Sequence, residues 1–405
     1  MLLVGDIHIC KKQQQQLLEQ LRDFFTQHPS ETQIVFLGDY VYHFTYERGA
    51  LLALFALFVE LIQQGKELWI VAGNHDRLQW HFVFDEARQL SALMGNDAQR
   101  LHIITEPQFA TIEGEEILFV PSCTFSTPVT AEQKYAFLEA EDHPNAKQSA
   151  RLNQCVLEMV STWRSKNTSQ QLLVIHHGYV VNTVFPGQQA RFSFTSPGLD
   201  SSRLDATDIR LLSGHLHSAF VHKNYLCTWS MRYTSPLESN ELKWIFTRAR
   251  DGQMTATPFV LNPYLVVDHQ EGVIIDEPYL QNWWQKLLQK SIWLLQNNPL
   301  WDIVISEHEP ALPLTQTTLT IRRPVVDYAA LESLVSPDAQ RLLADVKIKA
   351  TQALPSVLLE EINDASLELT ERISDRKILL RRYIDAKYAD RAPAYWKLLQ
   401  ELSLV

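Results

Sequence analysis

The sequence is poor in the features that mark secreted, membrane-spanning or disulfide-stapled proteins. Its 405 residues include four cysteines. Cys10, Cys123, Cys155 and Cys227 are widely spread and form no C-x-x-C pair. That excludes a zinc knuckle and suits reduced thiols in a reducing compartment. The longest apolar run, Ala50 to Val59, stops at Glu60. It is too short to cross a bilayer, which takes about 20 residues. The chain opens Met1-Leu2-Leu3-Val4-Gly5-Asp6, a strand running into a motif rather than a leader peptide. A cytoplasmic protein without a membrane contact is therefore expected. Glycine is sparse, at 13 residues, and no repeat period stands out, so a solenoid is not expected. There is no G-x-x-x-x-G-K-[ST], which excludes ATP hydrolysis by that route. Nor is there an excess of positive charge. With 36 basic and 47 acidic residues the net charge is −11, which argues against coating nucleic acid by bulk charge. A nuclease is not excluded, because bound divalent ions invert the charge of a carboxylate-rich site.

What is present is a soluble globular composition, 46% apolar and 20% charged. The length suggests two or three domains. Short apolar runs at Met1–Val4, Gln33–Leu37, Leu68–Ala72, Ile117–Val120, Leu172–Ile175 and Ile209–Leu212 alternate with helix-like stretches. That is the pattern of an α/β sheet with buried strands. Active groups in such sheets lie just beyond the carboxyl ends of strands. From about Asp251 prolines punctuate the chain, and the helix-like Gln281–Gln296 lies beside strand-like Trp301–Ser306 and Thr317–Arg323. A small α+β unit at 251–338, appended to a domain at 1–250, is expected, followed by a charge-dense helical region over 339–405.

Five motifs fall at or just after strand-like runs. They are Gly5-Asp6-Ile7-His8, Gly38-Asp39, Gly73-Asn74-His75-Asp76, Ile175-His176-His177 and Gly214-His215-Leu216-His217. Together they offer carboxylate, amide and imidazole donors in numbers that suit two first-row divalent ions. In an extended chain, alternation puts Asp6 and His8 on one side, and likewise His215 and His217. The glycines permit sharp turns and leave room for a phosphate. Any one of these motifs means little; five in order are a strong signal.

The set D-x-H, G-D, G-N-H-D, H and G-H-x-H resembles the calcineurin-like metallophosphoesterase superfamily over roughly residues 1–250. The resemblance implies a two-sheet sandwich flanked by helices (αββα) with ligands on loops at one edge. Carried onto this chain, it implies one ion held by Asp6, His8, Asp39 and His217. It implies a second held by Asn74, His176, His215 and the bridging Asp39, with His75 off the metals and facing substrate. His177 adjoins His176 and is the alternative ligand; His176, which follows the strand directly, is the better match. Manganese is the family's usual metal, with magnesium the other choice. Asp76 reads as a turn cap. His43 and His81 follow the second and third motifs closely enough to touch substrate.

Protein Ser/Thr phosphatases of this superfamily carry an arginine soon after G-D and a glutamate in G-N-H-E. Here Tyr40 follows Asp39, and Asp76 ends the third motif. The layout is instead similar to the SbcD-type nuclease subunit, with the aromatic and histidine stretch Tyr42-His43-Phe44 after G-D. That resemblance implies a DNA exonuclease or endonuclease in repair or end processing, working as a homodimer with an SMC-like ATPase of the SbcC type. A phosphodiesterase or phosphatase for small nucleotides is the alternative. Leu369, Ile373, Leu380 and Ile384, then Tyr395, Leu398, Leu399 and Leu402, form two apolar helical stripes. The resemblance makes them the expected docking element for the ATPase. Helix 50–62 is apolar nearly all round, as a buried crossover helix or a dimer contact would be.

Overall fold

The computed structural model describes residues 1–42, 48–78, 81–84, 97–122, 144–167, 171–181, 198–217, 220–228, 230–232, 242–261, 263–268, 273–298, 300–306, 310–323 and 334–350. The chain begins β1 (Leu2–Val4), α1 (Gln14–Gln27), β2 (Gln33–Phe36), α2 (Arg48–Gln63) and β3 (Glu67–Val71). A two-residue hairpin, β4 (Arg77–Leu78) and β5 (His81–Phe82), precedes β6 (Leu101–Ile104), β7 (Gln108–Ile112), β8 (Glu115–Val120) and α3 (Pro144–Arg164). Then follow β9 (Leu172–His177), β10 (Tyr179–Val181), β11 (Gly198–Asp200), β12 (Ile209–Gly214), β13 (Phe220–His222) and β14 (Tyr225–Cys227). The remainder is β15 (Trp244–Arg248), β16 (Met254–Pro258), β17 (Tyr264–Asp268), α4 (Glu277–Gln296), β18 (Ile303–Ile305), β19 (Thr318–Arg323), α5 (Pro337–Leu342) and β20 (Asp345–Ala350).

Two sheets face each other. The first runs β18-β16-β15-β1-β2-β3-β6 and the second β13-β14-β12-β9-β8-β7. Period-two alternation sorts their side chains into three layers. Leu3, Val35, Val71, Phe119, Leu173, Ile175 and Leu212 fill the space between the sheets. Leu2, Val4, Ile34, Phe36 and Ile70 turn outward onto α1 and α2, meeting Leu17, Leu21, Leu54 and Phe58. Leu118, Val120, Leu172 and Val174 turn outward onto α3, meeting Val156, Val160 and Trp163. This is an αββα sandwich, the expected α/β class, with every strand of the inner pairs buried on both faces.

Residues beyond 250 serve two structures. β16 and β18 extend the first sheet, so the Trp301–Ser306 run belongs to the sandwich edge. β17, β19 and β20 form a separate parallel three-stranded sheet. It packs with α4 through Leu265, Leu319, Ile321, Leu280 and Trp284, continuous with the inter-sheet core. α4 opens on Asp276, whose carboxylate accepts from Tyr279 N, an N-cap followed by Pro278 in the first turn. The region expected to be helical from 339 departs from that reading at Asp345–Ala350. Val346 and Ile348 alternate with Lys347 and Lys349, and the run pairs in parallel with β19. The rest of the C-terminal region, including both apolar stripes, lies outside the described residues. So do His43 and Phe44. No helix of the described residues is long and apolar enough to cross a membrane.

Candidate dinuclear metal centre

Each motif leaves its strand at the carboxyl end, at one edge of the sandwich. Asp6 and His8 follow β1, Asp39 follows β2, and Asn74 and His75 follow β3. His177 ends β9, and His215 and His217 follow β12. The backbone there is unusual. His8, Asp39 and His215 have φ of 45°, 49° and 80°, a region non-glycine residues enter at a cost and most often at functional sites. Gly38, at φ 111°, and Gly73 make the approach possible. A Cβ on Gly73 would sit 2.1 Å from Asp39 N, and one on Gly38 would sit 2.3 Å from His177 Nδ1.

Two clusters of donors result, Asp6–His8–His217 and Asp39–His177–His215, each with ligand atoms within 4.8 Å of one another. The Nε2 atoms of His8 and His217 are 2.7 Å apart. Asn74 Oδ1 lies 2.6 Å from His215 Nδ1 and 3.2 Å from His177 Nε2. Asp39 lies between the clusters. Its Oδ1 is 3.3 Å from His177 Nε2 and its Oδ2 is 3.7 Å from His8 Nε2. Asp6 Oδ1 and Asp39 Oδ2 are buried with no hydrogen-bond partner among the described residues. Buried carboxylate oxygens are seldom left so, since each orphan is destabilising by about 1–3 kcal/mol or more. Converging imidazoles, one amide oxygen and two orphaned carboxylate oxygens fit a pair of divalent cations.

Of the two adjacent histidines, the structure brings His177, not the expected His176, into the second cluster. Alternation along β9 sends Leu173, Ile175 and His177 to the inter-sheet face, and Leu172, Val174 and His176 towards α3. His176 accordingly points away, with Nδ1 2.8 Å from Val120 O and Nε2 3.3 Å from Tyr179 O. His177 Nδ1 is 2.6 Å from Leu37 O. A carbonyl can only accept, so Nδ1 carries a proton, and Nε2 faces the cluster, where it would ligate an ion once it gives up its own proton. The Leu-x-Ile-x-His alternation was the signal for this; adjacency to the strand end was a weaker one.

His75 stands apart from both clusters. Its backbone N–H donates to Asp39 Oδ1 at 2.8 Å, and its ring Nδ1 donates to Tyr42 O at 3.1 Å. The ring is stacked with that of Tyr42 and lies 5.2 Å, edge-on, from that of His8. Asp76 is fully buried. One oxygen accepts from Tyr40 N (2.7 Å) and Val41 N (3.4 Å) and the other from Gly73 N (2.9 Å), tying the second motif to the third. The backbone of His81 pairs with Leu78.

Charge in the metal-free cluster is frustrated. Burial raises Asp6 to about 7, opposed by His177 and helped by Asp39. Burial and the Asp39 charge raise Asp76 to about 8. Burial alone would lower His177, but Asp39 and Asp6 lift it to about 10. Burial, with neighbouring His217 and His177 respectively, holds His8 and His215 well below the ordinary imidazole range. Burial pushes Asp39 up, yet His177 and His75 outweigh it and keep the carboxylate ionised. A pH dependence follows. Above pH 6.5, where an unfolded histidine loses its charge, Asp6, Asp76 and His177 still titrate in the fold. All three have raised folded values, so the folded state binds more protons than the unfolded one. Stability of the chelated protein should therefore fall from pH 6.5 to pH 8, read as a lower melting temperature. A saturating divalent ion should raise that temperature at pH 8. A melting temperature rising with pH in chelator would contradict this account.

A sandwich of this kind, carrying such donors at the carboxyl ends of its strands, defines a metal-dependent phosphoesterase. Residues 1–219 match the family described as calcineurin-like phosphoesterase, and the chain belongs to that family. Members use two divalent ions, and the structure holds two candidate sites for them. Comparison with curated proteins gives no match. Among solved structures the chain is similar to a dimetal phosphatase from Danio rerio, at 13% identity over 60% of this chain and 91% of that one, TM-score 0.39. It is also similar to a protein assigned as a 5′-nucleotidase from Staphylococcus aureus, at 12% identity over 71% of this chain and 57% of that one, TM-score 0.36. Neither likeness bears on substrate.

Proposed function

We propose that the chain is a two-metal phosphodiesterase that cuts DNA, as the nuclease subunit of a complex with an SMC-like ATPase. The convergence of Asp6, His8, Asp39, Asn74, His177, His215 and His217 carries the hydrolytic part of this reading. One ion would be held by Asp6, His8, His217 and Asp39, the other by Asp39, Asn74, His177 and His215. When bound, the two ions supply Lewis-acid stabilisation of the phosphate and a nucleophile at neutral pH. Asp39 serves both because its two oxygens face different clusters. Asn74 donates a carbonyl oxygen without adding charge. Leu37 fixes the His177 tautomer through Nδ1. His75, oriented through Nδ1 by the Tyr42 carbonyl, holds Nε2 towards the leaving oxygen and delivers a proton or opposes its developing charge.

The DNA part rests on layout. Tyr40 stands next to Asp39, near where the Ser/Thr phosphatases carry arginine. It is turned into the core, with its hydroxyl 3.0 Å from Val71 O and 3.2 Å from Phe36 O. A second α/β unit, β17–α4–β19–α5–β20, adjoins the sandwich, with β18 returning to the sandwich edge between α4 and β19, a layout similar to the small added domain of SbcD-type nucleases. The sequence carries no G-x-x-x-x-G-K-[ST] motif, and a partner ATPase would supply the work of opening duplex DNA. The ion expected is manganese, or magnesium in its place. The test is cleavage of labelled single- and double-stranded DNA with Mn²⁺ or Mg²⁺, with the ATPase present and absent. Metal-dependent cleavage of single strands by the chain alone, and ATP-dependent cutting of duplex with the partner, is the expected result. Turnover of a chromogenic monoester or a mononucleotide far above that of DNA would assign it instead to small nucleotides.

A further inference from the structure

Among the described residues, the three donors of one cluster share a support not seen under the other. The segment Ser230–Met231–Arg232 and the start of β15 form one buried network under them. Met231 N donates to the Asp6 carbonyl at 2.6 Å. Arg232 Nε donates to the His8 carbonyl, and its Nη1 donates to Gln13 Oε1 at 2.9 Å. Lys243 Nζ donates to the His217 carbonyl and to Ser230 Oγ, each at 3.2 Å. Ser230 Oγ in turn donates to the Arg232 carbonyl at 2.7 Å. Arg232 is 8% exposed, and Ser230 and Lys243 are wholly buried. The second cluster is reached otherwise. Asp39 is gripped through its carbonyl by His8 N and through Oδ1 by His75 N. His177 is fixed by Leu37 O, and His215 N donates to Asp6 Oδ2.

Burying a guanidinium and an ammonium beside a cation site opposes cation binding by charge. They are tolerated when their hydrogen bonds hold groups that must not move, since charge-assisted bonds are about twice as strong as neutral ones. The carbonyls they hold belong to His8 and His217, whose Nε2 atoms must both meet one ion. We propose that Arg232, Lys243 and Ser230 are a positioning network dedicated to the Asp6–His8–His217 ion, so that its affinity is set separately from that of its neighbour. This rests on the two-metal reading of the site.

The full-length chain is stripped with chelator and titrated with Mn²⁺, following bound ions per chain. Wild-type protein taking up two ions upholds the underlying reading; fewer than two defeats that reading, whatever the variants do. Lys243→Met and Arg232→Met should each weaken one ion by roughly 10–100-fold, the range for groups that orient metal ligands, and leave the other unchanged. Lys243→Arg, which keeps a charged donor at the His217 carbonyl, should restore much of the loss. Asn74→Ala should weaken the other ion, and the Asn74→Ala/Lys243→Met double variant should bind both ions more weakly than wild type, each by about the factor of its own single variant. If the larger changes prevent folding, Ser230→Ala removes one hydroxyl and should shift the same single ion by a smaller factor. Equal weakening of both ions, no change in either, or a double variant that keeps one ion as tightly as Asn74→Ala does would overturn the proposal.

Discussion

Asp39→Asn is expected to abolish phosphoester hydrolysis, with a loss of at least roughly a thousandfold, and to reduce binding from two ions per chain to one at most. The carboxylate is 1% exposed and is the group whose oxygens face both clusters, 3.3 Å from His177 Nε2 on one side and 3.7 Å from His8 Nε2 on the other. Asparagine keeps the shape and one carbonyl oxygen, and that oxygen can still accept from His75 N. It removes the charge and replaces the second oxygen by an NH₂ that cannot ligate. Metal stabilisation of the transition state is worth several kcal/mol, and each 1.36 kcal/mol is tenfold in rate. Turnover of a chromogenic phosphodiester and metal analysis of the same dialysed sample measure both effects. A variant that keeps two ions, or wild-type protein that stays fully active in excess chelator, would remove the basis for the two-ion assignment.

His75→Ala should separate chemistry from metal binding. The ring belongs to neither cluster, and its contacts include the Tyr42 carbonyl and the rings of Tyr42 and His8. The backbone N–H that steadies Asp39 survives the substitution. Two ions should remain bound, with kcat lowered about 10²–10⁴-fold, the usual contribution of a positioned general acid. KM should change little, and a substrate with a highly acidic leaving group should recover much of the rate, because it needs no proton. Loss of an ion in this variant would make His75 a ligand and the role given to it here untenable.

Much of this centre was legible because metal ligands must be particular side chains, and the five motifs carry them in order. The α/β class was legible in short apolar runs such as Leu172–Ile175 separated by helix-like stretches, whereas the αββα layering followed only from the family resemblance. What escaped was whatever depends on the backbone. Lys243 and Arg232 act on carbonyls, which every residue has, so nothing at Asp6, His8 or His217 announces the partner. Asp76 read as a turn cap and does accept from Gly73 N, but its bonds to Tyr40 N and Val41 N span 36 and 35 residues. β20 was hidden by its lysines, which mimic a charged helix until pairing with β19 exposes the period of two. The run holding β18 was read as part of the appended α+β unit, yet it extends the first sheet, because Ile-Val-Ile does not say which edge it will join.

The donor set is divided between the two sheets. Asp6, His8, Asp39 and Asn74 hang from strands of the first, and His177, His215 and His217 from strands of the second. Neither half carries the full donor set of either cluster, so each ion would join one sheet to the other across the mouth of the core. Hydrolysis then acts as a gauge of how the sheets are seated. A volume change at Leu3, Val35, Ile175 or Leu212, all in the space between them, displaces the two halves of the donor set against each other. Such a change can silence the enzyme with every ligand in place, and ions in turn stiffen the whole sandwich from its edge.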